Sequence, residues 1–156
     1  MLVSDIDKWI FIGESCFEFS GSIKKITIVG NEIQEEYLDY TTMIERLHPH
    51  VKWQFEEDQD YQGDFFGCGH DIDNNFYFIQ GSFGSCSGCD WLQGISTDIE
   101  AREILNHFYK EVIVKPNWKE MKAYISDTKG NAIWAASTLG HLITKMDNLS
   151  INEGIM

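Results

Sequence analysis

Phe65-Phe66-Gly67-Cys68-Gly69-His70 and Asn75-Phe76-Tyr77-Phe78-Ile79-Gln80 flank Asp71-Ile72-Asp73-Asn74. Two short apolar runs around a cluster of turn formers predict a β-hairpin. Upstream, Val51, Trp53 and Phe55 alternate as a further strand, and Glu56 to Gly63 reads as an acidic loop. Downstream, residues 81–94 are rich in Gly, Ser and Cys and read as a loop. The periodicity then changes. Thr97-Asp98-Ile99-Glu100 is a capping box for a helix with Ile104, Leu105, Phe108, Tyr109 and Val112 on its apolar face. Pro116-Asn117-Trp118-Lys119-Glu120 opens a second helix by the same device, with Trp118, Met121, Tyr124 and Ile125 inward and Gly130-Asn131 at its end. A last helix is expected from Ala132 to Met146, interrupted at Gly140.

The region before residue 50 is read in the same way. Leu2 to Phe11 suggests a short helix opened by Ser4. Phe17/Phe19 and Ile26/Ile28 alternate around Gly21-Ser22, as in a hairpin. Asn31-Glu32-Ile33-Gln34 resembles a capping box, and Ile33, Tyr37, Tyr40, Ile44 and Leu47 recur at helical steps up to Pro49. The sum is an α+β protein, an antiparallel sheet with helices packed on one side. It is expected as one domain over residues 1–156, strand-rich in 15–95 and helical in 97–147.

The 156 residues include 25 acids and 12 bases, a net charge of −13. Such a surplus repels phosphate, which argues against direct nucleic-acid binding or attraction to anionic lipid. No apolar run reaches the length of a membrane helix. Asp5 and Asp7 precede the short run Trp9-Ile10-Phe11-Ile12, unlike a secretory leader, so a cytoplasmic setting is expected. The charge is uneven. Between Lys52 and Arg102 there are ten acids and no Lys or Arg. Seven of the ten, Glu56, Glu57, Asp58, Asp60, Asp64, Asp71 and Asp73, fall close together. They form either a solvated face that keeps the protein dissolved or a docking surface for a basic partner.

Four cysteines are present, Cys16, Cys68, Cys86 and Cys89, and reduced thiols are expected. Cys86-Ser87-Gly88-Cys89 has the spacing that lets two thiolates hold one tetrahedral ion. Cys68 and His70 lie two apart on a predicted strand and so share a face. Together they suggest a zinc site with ligands Cys68, His70, Cys86 and Cys89. Small buried or loop thiols are the competing reading, and Cys16 alone reads as core filler. A reactive thiolate would want cationic neighbours, which this segment lacks. Asp71-x-Asp73-x-Asn75 begins like a calcium loop, but Phe76 takes the glycine position and no bidentate Glu follows. Asp64, His70 and Cys89 could be drawn as a nucleophilic triad, as any acid, His and Cys can.

Tyr61-Gln62-Gly63-Asp64 and Gly84-Ser85-Cys86-Ser87-Gly88-Cys89-Asp90-Trp91 resemble a group of small uncharacterised bacterial and phage proteins. That group carries a Tyr-x-Gly-Asp strand entry, then Gly-Ser-Cys-Ser-Gly-Cys-Asp, then helices. The likeness covers residues 61–125. It implies that Asp64, Cys86, Gly88, Cys89 and Asp90 belong to a shared local structure, and it carries no activity. The sequence departs from the group at Cys68 and His70, which leaves open a two-cysteine metal site completed across a dimer.

Two functions from different classes follow. One is an acidic interaction module that occupies a basic partner surface, of which a phage-encoded inhibitor or nucleic-acid mimic would be a form. The other is a small zinc-binding protein or cysteine-dependent enzyme centred on the Cys86–Cys89 loop.

Overall fold

A computed structural model describes residues 9–14, 22–29, 31–57, 63–83, 92, 98–131 and 135–153. The fold is α+β, with seven strands and four helices among the described residues. The chain gathers into two compact units, one of residues 1–49, 60–62 and 82–111, the other of residues 50–59, 63–81 and 112–156.

In the first unit β1 (Trp9–Glu14), β2 (Ser22–Val29) and β3 (Glu32–Leu38) form an antiparallel sheet in the order β1-β2-β3. Trp9 to Glu14 was expected partly as helix. It is a strand because its aromatic and β-branched residues find a ladder in β2. The helix expected from Asn31 onward is corrected in the same sense. Asn31 sits in a turn, and Glu32 to Leu38 pair residue by residue with Val29 to Ile23. The four-residue step from Ile33 to Tyr37 imitates a helical stripe, but backbone pairing with β2 decides the conformation.

The helix begins later, as α1 (Tyr40–Leu47). Asp39 caps it, with Oδ1 accepting from the Thr42 amide at 2.9 Å and the Thr41 hydroxyl at 3.1 Å. Its buried face of Tyr40, Met43, Ile44 and Leu47 belongs to the same core as Ala101, Leu105 and Phe108 of α2 (Asp98–Lys110). Tyr40 meets Phe108 edge-on at 5.8 Å, and its hydroxyl accepts from the Leu92 amide at 3.0 Å. His48 ends α1: its amide bonds the Ile44 carbonyl, and its ring Nε2 donates to the Phe108 carbonyl at 2.9 Å. Stacking on Tyr109 holds that ring in place.

In the second unit β4 (Lys52–Glu57), β5 (Gly63–His70), β6 (Phe76–Phe83) and β7 (Ile113–Lys115) form an antiparallel sheet in the order β4-β5-β6-β7. Trp53 pairs with Gly69 and Phe55 with Gly67. A Cβ on Gly67 would lie 2.7 Å from the Phe55 ring, and one on Gly69 would lie 2.5 Å from the Lys52 carbonyl oxygen. The two glycines therefore let the neighbouring strand and its aromatic rings lie close against β5.

The opposite face of β5 and β6 carries Phe66, Cys68, Phe76 and Phe78. They pack with Trp118, Met121 and Ile125 of α3 (Trp118–Asn131) and Leu139, Leu142 and Met146 of α4 (Ala136–Glu153). Each large side chain removed from water here contributes roughly 1.5–3 kcal/mol. The helices of this unit thus lie on one side of their sheet. Asn117 starts α3 as its pattern predicts, with Oδ1 accepting the Glu120 amide at 2.9 Å. Trp118 Nε1 and Lys122 Nζ both donate to Asp147 and staple α3 to α4.

Two features differ from expectation. Helix α4 runs unbroken through Gly140 and on to Glu153, because Leu139, Leu142 and Met146 are fully buried and outweigh the roughly 0.5–1 kcal/mol that one glycine costs a helix. Strand β7 was not anticipated, since three residues are too few to show a period. Residues 1–8, 15–21, 84–91 and 132–134, on which parts of the expected helices, hairpin and cysteine loop fall, lie outside the described residues.

Candidate functional site

The β5–β6 turn is organised by one carboxylate. Asp71 Oδ1 accepts the amides of Asp73 at 3.0 Å and Asn75 at 2.9 Å. Its Oδ2 accepts Asn75 Nδ2 at 3.1 Å and the Tyr77 hydroxyl at 2.8 Å. Two main-chain bonds close the same turn, from the Asp71 amide to the Asn75 carbonyl and from the Asn74 amide to the Asp71 carbonyl. Asn74 sits at φ 60°, a left-handed conformation that Asn tolerates better than most residues. Burial alone would raise the Asp71 pKa, but the donors outweigh it and hold the carboxyl below its usual value. Tyr77 moves the other way, to about 12, through burial first, then its bond to Asp71 and the charges of Asp71 and Asp73. The pair is therefore a neutral phenol on an ionised carboxylate, and the lone pairs of Asp71 are taken up inside the turn.

That assignment divides the acidic cluster. Asp71 is a buried turn organiser. Glu56 is neutralised by Lys145, with Nζ to Oε1 at 2.8 Å, and the same ammonium donates to the Phe55 carbonyl at 3.1 Å. Asp64 is half-buried, whereas Glu57 and Asp73 are exposed. Asp58 and Asp60 lie outside the described residues. Between Asp71 and Asp73 stands Ile72, 95% exposed.

Of the four expected zinc ligands, Cys68 and His70 lie within the described residues. Cys68 and His70 do share a face of β5. Cys68 is fully buried among Phe66, Phe76 and the α3–α4 side chains, and burial drives its thiol pKa far up. Such a thiol is protonated at neutral pH and inert toward electrophiles. His70 is nearly buried; its Nδ1 donates to the Asp71 carbonyl at 3.2 Å, and its ring tilts against Phe76. Cys86 and Cys89, and with them Asp90, lie outside the described residues, as does Cys16. Among the described residues, no group of three or more His, Cys, Asp or Glu side chains is placed to hold a metal ion.

Sequence reasoning missed the Tyr77–Asp71 bond and the separate role of Asp71. The available signal was positional: an Asp followed at two and four residues by amides that its side chain can reach is an Asx-type turn former. No protein-family model, curated protein or solved structure matches the chain. No helix among the described residues is long and apolar enough to cross a membrane.

Proposed function

We propose that this protein is an acidic interaction module whose loop and turn between β4 and β6 engage a basic surface on a partner protein in the cytoplasm. The observation that carries this reading is the stretch from Lys52 to Arg102, with ten acids and no cation. Within it Glu57 is exposed on β4, and Asp73 is exposed in the turn that Asp71 organises. Clustered like charge of this kind speeds encounter with an oppositely charged surface and makes the complex sensitive to salt. The zinc-centred alternative gains no support from Cys68, whose place in an apolar core favours a neutral thiol.

The experiment is a binding titration with decalysine. Neutralising Glu57, Asp58, Asp60 and Asp73 together should weaken binding far more than neutralising the exposed Glu45, Glu103, Glu111 and Asp127, which changes net charge equally. Raising salt from about 50 to about 300 mM should remove most of the difference. Equal losses from both quadruple variants would mean diffuse attraction and no dedicated surface.

A further inference from the structure

We draw no further inference here: the strongest candidate, the surface patch at the turn between β5 and β6 where Ile72 stands 95% exposed beside Asp73, carries nothing because nothing in the structure shows what covers it.

Discussion

The Tyr77 hydroxyl donates to Asp71 Oδ2 at 2.8 Å, joining β6 to the carboxylate that organises the turn before it. Tyr77→Phe removes one bond to a charged acceptor and should cost about 1.5–3 kcal/mol. Asp71→Ala strips the acceptor from two amides, a carboxamide and the phenol at once, and should cost more than Tyr77→Phe. Chemical denaturation of the two variants measures the order. Equal losses would show that the turn is held by its main-chain bonds alone.

Acid should unfold the protein partly through the same group. The Asp71 carboxyl titrates below its unfolded value, so its contribution is complete above about pH 4 and is lost as pH falls through the folded pKa. Asp147, held low by Lys122 and Trp118 against its own burial, acts in the same direction. The stability gap between the wild type and Asp71→Asn should therefore shrink below about pH 4 and stay constant from pH 5 to about pH 8. A gap that is flat through acid would remove Asp71 from the acid transition.

Glycine replacements separate close approach from spare conformational freedom. Gly67→Ala would place a methyl 2.7 Å from the Phe55 ring, and overpacking of this kind costs about 1–3 kcal/mol. Gly69→Ala meets a backbone carbonyl, which cannot rotate aside, and should be the more damaging. Gly130→Ala near the end of α3 meets nothing within 4 Å and should stabilise by about 0.5 kcal/mol. Thermal melts of the three variants give the ranking.

Cys68 should resist alkylation in the native chain and react only as the protein unfolds, because its thiol is buried and protonated. Mass spectrometry after limited iodoacetamide treatment locates the label. Cys68→Ser buries a hydroxyl in an apolar cluster and should cost about 1–3 kcal/mol. Rapid native labelling at Cys68 would contradict the packing described.

The second unit was largely legible in the sequence. Val51/Trp53/Phe55 alternation, the Asp71–Asn74 turn formers and the Asn117 cap each have a local cause, and each appears where that cause puts it. Residues 9–11 and 32–38 were misread because helix and strand compete over short apolar segments, and pairing with a neighbouring strand decides between them. The spacing of Cys68 and His70 was legible as a shared face. What lies against that face was not, because the packing of Trp118, Met121 and Leu142 is a tertiary fact. Likewise, composition showed an acidic cluster but could not show that Asp71 is consumed by its own turn or Glu56 by Lys145 from α4.

The glycine pairing across β4 and β5 gives the molecule a built-in spectroscopic marker. With the Phe55 ring held over Gly67 and Trp53 stacked beside it at 5.8 Å, ring currents should displace the Gly67 α-proton resonances well upfield. Those signals occupy an uncrowded part of a proton spectrum, so any ligand or variant that disturbs this strand pair can be followed without isotopic labelling of the chain.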